Sequence, residues 1–250
     1  MKETILFFVT AIFLALSAQS VSAFEIDQMT DTERAAFRAE IREYLLDNPE
    51  VIYEAVEILR AKQAQAAENQ DKKLVQLHSK AIFEDGFSYN GGNPEGDITL
   101  VEFVDYKCGY CKRAHTEVEA LLAQDSNVKF IIKEFPILGD ASVTTSQFAI
   151  AVHQLYGDVA YKSVHDILLS FTGQITSTAL NRIANTLGLD QEAIFDHMNN
   201  DKVIDVIRQN RELGQILEIT GTPTFILGDE MLRGFMPADA LITMIADMRR

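Results

Sequence analysis

The chain has 250 residues, 47% hydrophobic and 24% charged, with a formal net charge of -15. That acidity, with no basic stripe along the chain, argues against a nucleic-acid binder. A chain of this length buries an ample core unaided, so its two cysteines read as reactive rather than structural.

The first predicted element is a leader. MKETILFFVTAIFLALSAQSVSA carries Lys2, runs apolar from Ile5 to Leu16 and closes on Val21-Ser22-Ala23. This layout predicts a secretory signal peptide over 1–23, its apolar run too short for a comfortable membrane span. The mature chain is expected to begin near Phe24, in the periplasm, where disulfide chemistry persists.

From Thr30 to about Phe83 the sequence reads helical. Thr30 and Glu33 form a capping-box pattern, and Phe37, Ile41, Tyr44 and Leu45 mark one helical face. Asn48-Pro49 ends this helix and starts another, Asn48 as N-cap and Pro49 at the first helical position. Ile52, Ala55, Val56 and Leu59 continue the apolar stripe. Residues 60–73 favour helix but have little to bury. The stripe is too sparse for a core of its own, so a second copy of the chain is expected to cover it. Residues 24–83 therefore read as a helical oligomerisation stalk and linker.

From Phe87 onward the pattern is α/β. DITLVEFVDY predicts a buried strand, residues 108–123 a helix, and VKFIIKEFPIL a second strand. A largely helical stretch over 141–219 is broken near Gly157, Gly173 and Gly188. TPTFILGDEMLRGF predicts a hairpin turning at Gly228-Asp229, and a last helix starts at Pro237. This order is that of a thioredoxin fold with a helical insertion, assigned to 84–250.

The chemistry centres on KCGYCKRAH, residues 107–115. A strand running into a helix that begins at Cys108 sets that thiol at a helix N-terminus, where unpaired N–H groups and the macrodipole favour a thiolate. Cys111 lies one turn deeper, placed to attack a mixed disulfide on Cys108. A structural zinc site would need four ligands, and the two cysteines with His115 offer three. Copper(I) suits two thiolates, yet no methionine flanks them. His115 reads as a solvated helix residue, and neither a cofactor nor a resident metal is expected.

LVEFVDYKCGYCKR, KEFPIL and TGTPTFIL, in that order, resemble the DsbA-like branch of the thioredoxin superfamily over roughly Phe87 to Arg250. The resemblance implies that Cys108 and Cys111 are the redox pair and that Thr222-Pro223 is a cis-proline loop facing them. It puts Glu102 beneath the dithiol as a proton relay for Cys111, with Lys133 on the next strand as its partner. Gly109-Tyr110 replaces the Pro-His of the family's strong oxidants, implying a less oxidising pair, and threonine before the proline is the isomerases' choice. Thr222, Pro223 and Tyr110 are the expected substrate contacts, with Gly109 and Lys133 in support. IREYLLDNPEVIYEAVEILRAKQ resembles the N-terminal segment of the ScsC-like (suppressor of copper sensitivity) branch, implying a homo-oligomer, by analogy a trimer.

Together these imply an exported disulfide isomerase or reductase, acting on disulfide-containing client proteins and kept reduced by a membrane thiol reductant. The alternatives are a dithiol oxidase and, from another class, a Cu(I)-binding protein for copper tolerance.

Overall fold

The structure is a computed structural model describing residues 28–250; the leader expected over 1–23 lies outside the described residues. The described residues divide into two units, the boundary falling between Lys62 and Gln63.

In the first unit, α1 (Asp31–Asp47) carries the expected capping box. Thr30 Oγ1 accepts the Glu33 N–H at 3.3 Å, and Glu33 Oε2 accepts the Thr30 N–H at 2.9 Å. Asn48 departs from expectation. Its Nδ2 and its backbone N–H both donate to Tyr44 O at 2.9 Å, so it closes α1 rather than capping α2 (Glu50–Leu77). No residue of α1 is buried, and Ile41, Tyr44, Leu46, Ile52, Tyr53, Val56, Ile58 and Leu59 are all exposed.

The second unit is built on a five-stranded sheet, ordered β1 (Tyr89–Gly92), β3 (Val128–Glu134), β2 (Ile98–Val104), β4 (Thr224–Leu227), β5 (Glu230–Arg233). Only β2 and β3 pair in parallel, and both have the near-continuous apolar composition of strands covered on two sides. The edge strand β1, Tyr-Asn-Gly-Gly, is not among the expected strands. Gly92 has φ +63°, and a Cβ there would come within 2.4 Å of Val128 O, so this apparent turn sequence is what lets β1 lie against β3.

Side-chain alternation assigns the two faces of the sheet. Leu100, Val104, Phe130, Ile132 and Phe225 face α4 (Gly109–Gln124), the insertion helices and α10 (Ala238–Met248). The insertion comprises α5 (Asp140–Tyr156), α6 (Asp158–Ser170), α7 (Ser177–Thr186), α8 (Gln191–His197) and α9 (Asp201–Ile216), with Gly157, Gly173 and Gly188 at its breaks as expected. Val101, Phe103, Ile131 and Ile226 face the other way. They are covered by Val75 from the end of α2, Ile82 from α3 (Ser79–Phe83) and Leu213 from α9. Arg233 pairs with Asp71, and Glu230 with Lys72 at 3.1 Å, so residues from 71 onward are part of this body. The α/β order with a helical insertion read from the sequence is thus present as a mixed sheet with a helical insertion, preceded by helices.

Candidate active site

The site begins at Asp105, the buried residue that follows β2. One carboxylate oxygen accepts the N–H groups of Ile137 and Leu138 at 2.8 and 3.0 Å, and the other that of Lys107 at 2.8 Å. Its carbonyl accepts the Cys108 N–H at 3.0 Å. Asp105 thereby ties the loop after β2 to the loop after β3 and fixes where α4 starts. The sequence reading passed over it, although an aspartate between a strand and a helix start is an Asx-turn signal.

Cys108 is the N-cap of α4, in extended conformation, and is 8% exposed. The Thr222–Pro223 peptide bond is cis, and Cys108 Sγ donates to Thr222 O at 3.0 Å, which brings the two motifs together across 114 residues. The thiol pKa is lowered to about 5. The Cys111 side chain contributes most, followed by the Thr222 side chain and the N–H groups of Cys111 and Tyr110, against the opposing effect of burial. Thr222 Oγ1 is buried and lacks a partner while Cys108 is a thiol, so its natural acceptor is the thiolate. Thr222→Val is therefore expected to raise the Cys108 pKa by about one to two units, since a hydrogen bond to a charged group is worth about 1.5–3 kcal/mol. Thiolate absorbance near 240 nm against pH checks this; an unmoved midpoint would remove the hydroxyl from the site.

Cys111 is fully buried, and its pKa is raised above the ordinary thiol range by burial, its hydrogen bond with Cys108 and the charge of Glu102. Glu102 is 1% exposed, and its Oε1 has no hydrogen-bond partner. Burial first, then Cys108 and Glu134, push its carboxyl up to about 8. Glu134, which the sequence reading missed, lies on the same face, because β2 and β3 pair Val104 with Glu134. Its Oε1 accepts the hydroxyls of Tyr106 and Tyr161, each at 2.6 Å. Burial raises it to about 7 in spite of those bonds.

Lys133 is not the partner of Glu102. The parallel register sets Glu102 beside Ile132 and Phe103 beside Lys133, which turns the lysine to the opposite face of the sheet. There its Nζ donates to Ala81 O at 2.8 Å and pairs with Asp85, fully buried. Asp85 also accepts Phe87 and Ser88 N–H groups at 3.0 and 2.9 Å, so this pair anchors the segment leading into β1.

The rim around the dithiol is aromatic and cationic. Tyr110 is 58% exposed, and the Arg113 guanidinium lies 5.6 Å from its ring and 4.7 Å from that of Phe235. Gly109 has open space where a Cβ would stand, so local packing does not require glycine there. A cleft of about 360 Å³ is lined by Tyr106, Lys107, Lys112 and Ile175, among others. A thiolate at a helix start, a buried second thiol and a protonatable carboxylate beneath them can together carry out thiol–disulfide exchange.

Comparison with known proteins adds to this geometry. Residues 99–246 match the family model described as a DSBA-like thioredoxin domain, and residues 33–66 match that of the copper resistance protein ScsC N-terminal domain. A thioredoxin-like oxidoreductase from Silicibacter pomeroyi is 36% identical with a TM-score of 0.64, over 68% of this chain and 96% of that one. Proteus mirabilis ScsC in a transitional conformation is 27% identical with a TM-score of 0.63, over 88% and 98%. The Na(+)/H(+) antiporter NhaA 3 of Salinispora tropica is 27% identical over 150 residues, 60% of this chain. The chain spans only 23% of that antiporter's length. Among the described residues no helix is long and apolar enough to cross a membrane.

Proposed function

The chain belongs to the DSBA-like thioredoxin family, and we propose that it is an exported, oligomeric disulfide isomerase and reductase. The observation that carries this reading is the split between its two thiols: Cys108 lowered to about 5 and Cys111 raised above the ordinary range. Cys108 thiolate attacks one sulfur of a client disulfide, forming a mixed disulfide and releasing the other client sulfur as thiolate. A low-pKa sulfur is also a good leaving group, so a client thiolate readily displaces Cys108 and forms a new pairing. Cys111, held protonated, is slow to intervene. When it does, it closes the Cys108–Cys111 disulfide and leaves the client reduced, and a membrane thiol reductant must then restore the pair. The missing histidine between the cysteines is offset by Thr222 and the first-turn N–H groups. Tyr110, Thr222 and Pro223 are the substrate contacts, with Gly109 giving clearance beside them.

Cys111→Ser separates the readings. An isomerase cycle needs only Cys108, so this variant is expected to keep a third or more of the reactivation of scrambled ribonuclease. Its net reduction of dithiol-forming substrates is expected to fall at least about 100-fold, because resolution becomes intermolecular. Loss of both activities would favour the second reading, a dithiol oxidase, which rests on the same stabilised thiolate.

The exposed apolar side chains of residues 41–59 support assembly into a homo-oligomer, by analogy a trimer. Several dithiols held together raise the effective concentration at one misfolded client. Sedimentation of the chain from Phe24 is expected to give an oligomer, and a chain from Gln63 a monomer. A monomeric Phe24 chain would remove the stalk from the mechanism.

A further inference from the structure

Exchange at the dithiol leaves one cluster of donor atoms unused. His115 on α4 meets His165 and Asp166 on α6, with one nitrogen from each imidazole and one carboxylate oxygen all within 4.8 Å of one another. His115 Nε2 lies 3.5 Å from Asp166 Oδ1, and the two rings meet edge to face with centroids 5.6 Å apart. His165 is 1% exposed and His115 is partly buried against it, so His115 is not the solvated residue its sequence context implied.

Hydrogen bonding determines which nitrogen of His165 is open. Tyr106 has a single hydroxyl proton, and it goes to Glu134 at 2.6 Å. The 3.1 Å contact between Tyr106 Oη and His165 Nδ1 must then run from Nδ1–H to oxygen, leaving Nε2 with its lone pair. A metal-binding imidazole is oriented in this way, its second nitrogen donating to an oxygen that is itself tied to a carboxylate. The surrounding charge is acidic on balance. Among the described residues, Asp166 and Glu119 share one lysine partner, Lys162, whose Nζ holds both Asp166 oxygens at 2.7 Å and Glu119 at 3.0 Å.

We propose that His115, His165 and Asp166 form a binding site for a divalent cation of the zinc class, separate from the dithiol. Two imidazoles and a carboxylate are a borderline donor set, suited to zinc at about 2.0–2.2 Å rather than to a thiophilic monovalent ion or to magnesium. The half-exposed Asp166 carboxylate is the ligand that closes onto the ion, releasing Lys162 to Glu119 alone.

The probe is Zn(II) alone, titrated against a chromophoric chelator. It is added to the full chain carrying Cys108→Ser and Cys111→Ser, because the dithiol itself would take zinc. One equivalent is expected to bind. His115→Asn and Asp166→Asn, both at partly exposed positions, are each expected to weaken binding at least about tenfold. Lys162→Gln removes the competing ammonium and is expected to tighten it. Circular dichroism establishes that each variant is folded. Failure to bind an equivalent, or an affinity unchanged in both His115→Asn and Asp166→Asn, overturns the proposal, as does weaker binding in Lys162→Gln.

Discussion

Replacing Lys133 with methionine is expected to destabilise the protein by about 3–5 kcal/mol, the usual result of removing one member of a buried ion pair. At about 2–4 °C per kcal/mol for a body of this size, the melting temperature is expected to fall by roughly 6–20 °C. The cause is Asp85, left buried without its cation. Burial pushes the Asp85 carboxyl up, but Lys133, together with the Ser88 hydroxyl and N–H, holds it below the ordinary value in the intact protein. Its stabilising contribution is therefore fully present above the unfolded carboxyl pKa, about 3.9, and is lost as the pH falls through the lower folded value. The deficit of Lys133→Met is largest at neutral pH and shrinks in acid, where Asp85 is protonated in the variant. Lys133→Met/Asp85→Asn is expected to lose less than the sum of the single changes, which thermal melts of the full cycle measure. Because Lys133 lies on the far face, the Cys108 titration midpoint in Lys133→Met is expected to match that of the intact protein. A shifted midpoint would restore the lysine to the dithiol.

Glu102→Gln is expected to act in the opposite sense on stability and strongly on rate. A buried carboxyl raised to about 8 carries no penalty below the unfolded pKa near 4.3. The penalty then grows as the pH rises toward the folded value, reaching on the order of 3 kcal/mol at neutral pH. Glutamine removes it, so the variant is expected to melt higher at pH 7 and to equal the intact protein near pH 4. The resolving step pays for this gain. Glu102 is held protonated partly by the Cys108 thiolate, and that charge disappears when the mixed disulfide forms. Its pKa is then expected to fall, and on the proposed mechanism it serves as the base for the Cys111 proton at the moment that proton must leave. Removing general base catalysis of this kind costs about 10²-fold or more. Single-turnover release of a thiol from a preformed mixed disulfide, followed against pH, is expected to be slower in Glu102→Gln and to lack its inflection. An unchanged profile would confine Glu102 to a structural role.

Much of the fold was legible because apolar patterning and punctuation agree. The two central strands are long apolar runs, the glycine breaks of the insertion lie where helices end, and the hairpin turns at Gly228-Asp229. Pairings set by register were not legible. Glu102 and Lys133 both interrupt buried strands, and the sequence of either strand cannot tell which faces are shared; the parallel register separates them. Glu134, one residue further on, is the group that shares the face of Glu102, and its tyrosine partners come from the site loop and α6. The strand at Tyr89–Gly92 was hidden because two glycines read as a turn, whereas close approach to β3 is their purpose. His115 was misread because its cover comes from α6, fifty residues away in sequence.

The most direct test of the account is the pH dependence of alkylation of the reduced chain, with the modified cysteine identified by peptide mass. Cys108 is expected to be labelled first, with a midpoint near pH 5, while Cys111 stays unmodified through neutral pH. A midpoint near 8.5, the value of an unperturbed thiol, or first labelling of Cys111 would contradict it.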